Sequence, residues 1–267
     1  LILKNMLIKN TKIFWELVKI NIKKLLVYRA LFFTEFLTML LWAAAYILLI
    51  EVIFLHTATL AGWSKSQAQL ILAFYYSFQT FGEIFYIDNF EQFSLNLRRG
   101  LIDFNLIKPV SSRLLTFLQN MQFQDASHFI MTIGLFAYAI KNLPQPLDPK
   151  FFMLGLLMVL PATILNFSIH SMFTTTAFWL QKNETLSSIM WNFRQTAKYP
   201  RQIYQGFFKI AFSFIIPFAL LASVPAEVAM NFQNGYYPII FLLLTIVFFY
   251  LSKWFWNLGL KKYSSAN

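Results

Sequence analysis

Residues 95–110 read LNLRRGLIDFNLIKPV, a short mixed segment between long hydrophobic stretches. Gly100 and Pro109 bracket about two helical turns within it. Glycine loosens the backbone at one side, and the residue before a proline is pushed out of the helical region at the other. The pattern therefore predicts a short helix that is separate from the hydrophobic helices on either side.

Such a helix would carry two apolar sides. One side holds Leu97, Leu101 and Phe104, at i, i+4 and i+7 spacing. The other side holds Ile102 and Leu106. We interpret the segment as a piece pressed between the protein's own membrane helices and a separate soluble partner. The alternative is an ordinary loop helix that packs only on its own bundle.

The composition is that of a membrane protein. Hydrophobic residues make up 58% of the 267 residues and charged residues only 12%, about half of the charged share usual in soluble domains. The 32 Phe and 7 Trp residues suit lipid-facing helices and interfacial belts. The chain has no cysteine, which excludes disulfides, thiolate metal sites and cysteine nucleophiles.

Hydropathy predicts six membrane spans, each near the ~20 residues that a bilayer core requires. They are residues 30–54, 69–87, 122–140, 151–179, 207–224 and 237–256. Pro161 and Pro217 lie inside the fourth and fifth spans and should kink them.

The spans form one six-helix membrane domain over residues 30–267, and residues 1–29 precede it. Within that first segment a lysine-rich amphipathic helix over residues 11–28 is predicted to lie in the lipid headgroup layer. The alternative is a soluble helix packed on a partner. The fold class is therefore an all-α integral membrane protein with an N-terminal interfacial helix.

The basic residues fall on one side of this topology. Of the 22 Lys and Arg residues, all but Lys65, Lys141 and Lys150 lie before the first span, after the second, after the fourth, or in the tail. By the positive-inside rule both termini are cytoplasmic. We attribute the net charge of +11 to topology and lipid contact, and we expect no nucleic-acid partner.

Motifs for catalysis are missing from the sequence. No Gly-x-x-x-x-Gly-Lys-Ser/Thr occurs, so the chain lacks the usual phosphate-binding loop. No His or carboxylate pair has the spacing of a metal site, and we predict neither a catalytic residue nor a bound cofactor. Asp125 and His128, at i, i+3, are predicted to form a local ion pair rather than a proton relay.

Polar and ionisable residues inside predicted spans normally face the bundle interior. Two such groups share helical faces and would suit the wall of a substrate path: Glu35, Thr38 and Trp42 in the first span, and Tyr76, Gln79, Thr80 and Glu83 in the second. Hydrogen bonding between helices is the alternative reading of both groups.

Three segments resemble a known family. GLIDFNLIKPV at 100–110 is similar to the "G-x-x-D-x-x-L-x-K-P" stretch of bacterial ABC transporter permeases of the ABC-2 type, in the subfamily with six membrane helices and no fused ATPase. YP at 199–200, IPFA at 216–219 and PAE at 225–227 resemble that family's "YP…IPFA…PAE" run. WNLGLKKYSSA at 256–266 resembles its closing "W-x-x-G-L-[KR]-[KR]-Y-x-S-A".

The resemblance implies the permease subunit of an ATP-driven exporter in the bacterial cytoplasmic (inner) membrane. Such a subunit pairs with a second identical or homologous permease, while separate ATPase subunits bind ATP and Mg²⁺ and dock beneath. The segment 95–113 would be the coupling element, with an interface made of Leu97, Arg98, Arg99, Gly100, Leu101, Asp103, Phe104, Leu106, Lys108 and Pro109. Pro217 would join the substrate path and help to close its external mouth.

Two other functions remain open on the sequence. An ion-gradient-driven secondary transporter would use Glu35 and Glu83 to carry protons, and its transport would survive ATP depletion. A non-transporting membrane scaffold would have no pathway at all.

Overall fold

The computed structural model describes residues 2–27, 29–180, 184–232 and 235–263. Tyr28 at the predicted end of the amphipathic helix, the loop cation Lys182 and the motif residues 264–266 lie outside these ranges. The described residues form helices and no strand, with one isolated bridge between Leu60 and Trp63. The helices are α1 Ile2–Val27, α2 Arg29–His56, α3 Lys65–Gly82, α4 Asp88–Arg98, α5 Asp103–Leu106, α6 Ser112–Leu118, α7 His128–Lys141, α8 Pro149–Leu157, α9 Val159–Thr175, α10 Ala177–Leu180, α11 Glu184–Gln195, α12 Gly206–Ile210, α13 Leu220–Ala229 and α14 Tyr237–Lys262.

Within the described ranges, three helical stretches are long and apolar enough to cross a membrane. They are Ala30–His56, Pro149–Leu180 and Tyr237–Lys262, and they contain the first, fourth and sixth predicted spans. Many large apolar side chains on these helices are exposed, for example Leu41 and Leu243, as expected for a surface that faces lipid rather than water. The predicted all-α membrane fold is confirmed.

The second predicted span lies at the centre of the bundle. Ser64 caps its start through a capping box with Gln67, and the helix continues from α3 through a π-helical turn at Glu83–Ile87 into α4. Nearly all of α3 is buried against α7, α9 and α13. The helix runs eleven residues beyond its predicted end at residue 87, because the charged residues of α4 hide its continuation from a hydropathy search.

The third predicted span, 122–140, is shorter than expected. Only α7 is α-helical there, and Phe123–Ser127 form a 3-10 turn that packs beside α2.

In the fourth span, the helix breaks at Met158, between α8 and α9. That break lies three residues before Pro161, which cannot donate the hydrogen bond of a continuous helix.

The bundle has two ends, which we name by the connections they hold. The hairpin end contains the turn 57–64, and the loop end contains residues 99–111. Trp63 at the hairpin end donates its indole N–H to Gln202 Oε1 at 3.1 Å and packs its ring on Phe232 at 5.2 Å between centroids. Residues 202 and 232 therefore lie at the hairpin end.

Residues 184–204 run from the loop end to the hairpin end. At the loop end, Phe178 of α10 packs on Phe93 and Trp256, and α11 starts shortly after it. The sequence predicted an exposed loop here, but three of its cations are buried, since Arg194, Lys198 and Arg201 are only 1%, 8% and 7% exposed within the bundle. The segment is too polar for hydropathy to reveal.

The predicted fifth span, 207–224, is not one straight helix. Gly206–Ile215 and Leu220–Ala229 meet at an angle of 86°, and the bend at 216–219 contains Pro217. Phe218 in the bend is fully buried and faces His170 of α9 at 6.4 Å between ring centroids. Since residues 202 and 232 both lie at the hairpin end, this bent pair enters the bundle from that end and returns to it.

Candidate functional site

A cavity of about 600 Å³ opens between α2, α3, α7 and α11. Six of the eight residues predicted to line a substrate path lie on its wall: Glu35, Thr38, Trp42, Tyr76, Gln79 and Glu83. The structure places the other two elsewhere. Thr80 is fully buried and donates its hydroxyl to the Tyr76 carbonyl at 2.8 Å, and Pro217 lies at the bend of the re-entering pair.

Glu83 is held by neighbours from two helices. Its Oε2 lies 2.8 Å from His128 Nδ1, and its Oε1 accepts a hydrogen bond from the Gln79 amide. Asp125 lies beside His128 as predicted, with ligand atoms within 4.8 Å, but the hydrogen bond of the histidine ring goes to Glu83. This contact fixes the start of α7 against the π-helical turn.

Three ligand-type side chains converge beside this contact. One ligand atom each from Glu35, Asp125 and His128 lies within 4.8 Å of the other two, so the group has the donor atoms to hold a metal ion. No metal site was predicted, since the sequence offered no pair with metal spacing. The three residues come from α2, from the 3-10 turn and from α7, and only the tertiary fold brings them together.

A third wall of the cavity was not predicted. Trp191, Gln195 and Lys198 belong to the segment that had been assigned to a loop. The Lys198 ammonium lies 3.2 Å from the centroid of the Tyr46 ring, and the Tyr46 hydroxyl donates to Gln195 Oε1 at 3.2 Å. The signal was present as the i, i+4, i+7 spacing of these three residues, which places them on one face of a helix.

Two more carboxylates, Asp88 and Glu91, were missed for a related reason. They lie on α4, beyond the predicted end of the second span. The π-helical turn between α3 and α4 adds a residue to the helical ladder and is typical of functional sites. Here it lies between Glu83 and Asp88, so that both line the same cavity.

At the hairpin end a buried ion pair holds the re-entering segment. The Arg201 guanidinium donates to both carboxylate oxygens of Glu227, at 2.8 and 3.2 Å, and its Cζ lies 3.3 Å from the centroid of the Tyr237 ring. Gln202 donates to the same carboxylate at 2.7 Å. Arg201 follows the YP pair and Glu227 closes PAE, so these two parts of the family-like run meet in space.

At the loop end, the predicted two-turn helix is only one turn long. Gly100 adopts φ +67°, a left-handed conformation that glycine accepts readily, and it ends the helix that began at Lys65. The single turn Asp103–Leu106 follows, with hydrogen bonds from the Asn105 and Leu106 amides to the Ile102 carbonyl.

The two sides of this turn differ in exposure. Leu97 and Ile102 are buried against the aromatic cluster of the loop end, whereas Leu101, Phe104 and Ile107 are 44%, 63% and 79% exposed. The prediction that Leu97 shares a side with Leu101 and Phe104 is therefore wrong, and Ile107 takes its place on the outward side. We call Leu101, Phe104 and Ile107 the outward apolar face. The remaining predicted interface residues surround it, with Arg98, Arg99, Lys108 and Pro109 exposed and Gly100, Asp103 and Leu106 partly buried.

The turn is connected to the last helix. Asn105 donates to Thr116 Oγ1 of α6 at 3.4 Å, and Arg113 of α6 donates to Ser252 Oγ of α14 at 2.7 Å. Burial lowers the pKa of Arg113 to about 10, which leaves the guanidinium charged at neutral pH. Trp256 of α14 also donates to Ser112 Oγ at 3.3 Å. A displacement of the turn would thus reach α14 through α6.

Comparison with known proteins gives one match. Neither a curated protein nor a solved structure matches the chain significantly. The family model described as ABC-2 family transporter protein matches residues 40–267. That match includes most of the chain and all of the cavity except Glu35 and two of its neighbours, Thr38 and Met39. The chain therefore belongs to the ABC-2 transporter family and is a multi-pass membrane protein that serves as a transport permease.

Proposed function

We propose that the chain is the membrane subunit of an ATP-driven exporter, coupled to separate ATPase subunits through the outward apolar face. The observation that carries this proposal is the exposure of Leu101, Phe104 and Ile107 on a short turn at one end of a permease. The sequence contains no phosphate-binding loop of its own, so an ATPase partner must supply nucleotide binding and hydrolysis.

We further propose that the chain crosses the bacterial membrane six times, with both termini in the cytoplasm. The proposed crossings are helix α2, the α3–α4 helix, α7, the α8–α10 stretch, residues 184–204 and α14. Exposed cations at the loop end support its cytoplasmic placement; they are Arg98, Arg99, Lys108, Lys261 and Lys262.

The cavity would be this subunit's part of the substrate path. It is of the size of known ligand sites, which are usually 300–1,000 Å³. It opens beside α2, whose outer surface is largely exposed. We expect a second permease, identical or homologous, to pair along this surface and complete the path.

Replacement of Leu101 and Phe104 by aspartate tests the docking role. Full burial of such side chains contributes about 1.5–3 kcal/mol each, and each ~1.4 kcal/mol changes affinity tenfold. The double variant Leu101→Asp with Phe104→Asp should lose its ATPase on co-purification while its membrane level stays normal, because both side chains point away from the bundle.

Two controls make this experiment specific. Tyr236→Asp alters a side chain that is 80% exposed at the hairpin end and should retain the ATPase. Arg98→Ala should have a small effect, because a charge at the rim of an interface contributes mainly to the association rate. Retention of the ATPase by the double aspartate variant at wild-type occupancy would show that the turn is only a loop element of its own bundle.

A further inference from the structure

We propose that the cavity selects amphipathic organic cations, molecules with a positively charged head and an apolar or aromatic body. This inference rests on the proposed permease role and adds the class of substrate. It is carried by the distribution of charge over the cavity wall, by the aromatic surfaces beside the charges, and by buried polar atoms that have no partner.

The wall is acidic in a basic protein. The chain has 11 Asp and Glu residues and 22 Lys and Arg residues. Five carboxylates line this one cavity: Glu35, Glu83, Asp88, Glu91 and Asp125. Lys198 is the one Lys or Arg among the described lining residues, although Arg194 lies behind the wall against Trp191, 4.6 Å from its ring centroid. The cavity therefore concentrates negative charge while the chain as a whole is positive.

The five carboxylates outnumber the positively charged or ionisable basic groups among the described residues of the cavity wall, Lys198 and His128. Charged side chains among membrane helices are costly and normally pair with an opposite charge, and neighbouring carboxylates disfavour each other's ionised form. Among the described lining residues, His128 hydrogen-bonds Glu83 and lies within 4.8 Å of Glu35 and Asp125, so one histidine is shared by three carboxylates. A ligand with a positive head would relieve the repulsion among the carboxylates.

Polar atoms on the wall are also left over. The Tyr76 hydroxyl and Gln79 Oε1 belong to side chains that are both 3% exposed, and neither atom has a hydrogen-bond partner within the described residues. Both residues line the cavity. Buried polar groups normally find partners, so these two atoms point to a ligand or to water that completes them.

Another part of the cavity wall offers aromatic faces. Trp42 stacks beside Tyr46 with 6.2 Å between centroids, and Trp191 lines the facing segment. The Lys198 ammonium already lies against the Tyr46 and Tyr75 rings, at 3.2 and 4.9 Å. The tyrosine faces are therefore placed where a positively charged group can lie against them, as on other π surfaces.

The carboxylates and the aromatic rings occupy different positions along the cavity. Glu35 near the start of α2, Glu91 on α4 and Asp125 before α7 lie toward the loop end. Trp42, Tyr46 and the other rings lie farther from the loop end, with Lys198 against Tyr46. A ligand with one charged head at the carboxylates and an apolar body against the indoles fits this order.

Binding of tetraphenylphosphonium, a hydrophobic monocation, tests the inference directly. Radiolabelled probe is added to the full-length chain in lipid nanodiscs, without ATPase or ATP, and empty nanodiscs give the lipid background. We expect saturable binding that ethidium, a second aromatic cation, displaces. Tetraphenylborate, which has nearly the same shape and the opposite charge, should not displace it.

Charge variants assign the binding to this cavity. Glu35→Gln and Glu83→Gln should each weaken binding about tenfold or more, since they remove charge from a site of low dielectric. Glu51→Gln is the matched control, because Glu51 lies on the same helix as Glu35 but pairs with Lys65 outside the cavity. Lys198→Met should strengthen binding several-fold by removing the resident positive charge.

Three outcomes would overturn the inference. One is displacement by tetraphenylborate as effectively as by ethidium, and another is binding that none of the cavity variants changes. The third is absence of phosphonium binding together with Mn²⁺ binding that Glu35→Gln abolishes, which would assign the carboxylates to a metal ion. Because the assay contains no ATPase, each result leaves the docking experiment above independent of it.

Discussion

The Arg201–Glu227 pair shows how a single contact holds an unusual segment in place. Both side chains are buried, and the bidentate geometry of the pair is the strongest form of such a contact. Arg201 ends the segment that traverses the bundle, and Glu227 lies on the returning arm of the bent pair. The contact therefore joins two segments that hydropathy had assigned to a loop and to a single span.

Loss of either partner should be costly. Glu227→Gln leaves the Arg201 guanidinium buried with only neutral acceptors, and breaking a buried pair in this way costs about 3–5 kcal/mol. The free energy of unfolding in mixed micelles measures the effect. The double variant Arg201→Met with Glu227→Leu should lose less free energy of unfolding than the sum of the losses in Arg201→Met alone and Glu227→Leu alone. Strict additivity of the two losses would mean that the two residues stabilise the fold independently.

Local spacing predicts which residues share a helical face but not which segments that face meets. Six of the eight path residues lie on one cavity wall because helical spacing alone places Glu35 with Trp42, and Glu83 with Gln79, on common faces. Their neighbours Asp125, Trp191 and Lys198 come from other segments. Local spacing carries no information about which distant segment a face will meet, so the hydrogen bond of His128 with Glu83 was not predicted.

At the scale of helices, close packing explains one residue of the closing motif. Gly259 lies where α14 crosses α9 and α10, and a methyl group added there would lie 2.9 Å from Phe178 Cε2 and 3.0 Å from Thr175 Cγ2. The Phe178 ring is itself packed against Phe93 and Trp256, which leaves it little room for adjustment. Glycine at this position lets α14 approach α9 and α10 closely.

Gly259→Ala should therefore destabilise the bundle by about 1–3 kcal/mol, as overpacking usually does. Gly134→Ala is the matched control, since Gly134 is also helical and has nothing within 4 Å of the added carbon. The control should be neutral or stabilise by up to about 1 kcal/mol, because alanine favours helix. Equal losses in the two variants, read from thermal unfolding in detergent, would contradict the packing role of Gly259.

Among the elements, those with continuous apolar runs were predicted and those with polar interiors were not. Helices α2 and α14 face lipid and are apolar on most sides, so hydropathy finds them. Residues 188–204 expose Ile189 and Trp191 on one side but bury Arg194, Lys198 and Arg201 on the other, where the bundle rather than lipid accommodates the charges. Each arm of the bent pair is apolar but too short to cross a membrane. Composition alone cannot distinguish two such arms from one span that contains a proline.

For the whole molecule, two topologies of residues 184–229 can be compared. The sequence predicts a loop followed by one span, whereas the structure has a traversing segment followed by a bent pair. The two topologies place Gln205 on opposite sides of the membrane. In the structure, Gln205 is exposed at the hairpin end, next to Gly206 at φ +54°. The hydropathy model placed it in a cytoplasmic loop. Since the chain has no cysteine, single-cysteine labelling can separate these topologies without a background.

Gln205→Cys should react with an impermeant thiol reagent in intact cells. Lys65→Cys and Lys141→Cys should behave in the same way, while Lys24→Cys, Arg99→Cys and Lys262→Cys should react only after permeabilisation. Labelling of Gln205→Cys together with the second group would show that the bent pair crosses the membrane as one span. Labelling of Lys65→Cys only after permeabilisation would reverse the whole topology.

The rate of ATP hydrolysis tests most directly whether this permease is driven by ATP. The partner ATPase is measured alone, with the wild-type permease in nanodiscs, and with the variant Leu101→Asp with Phe104→Asp. We expect the wild-type permease to change the rate of the ATPase, and we expect the variant to leave that rate at its value for the ATPase alone. The same rate with the wild-type permease, the double variant and no permease would contradict ATP-driven coupling through the outward apolar face.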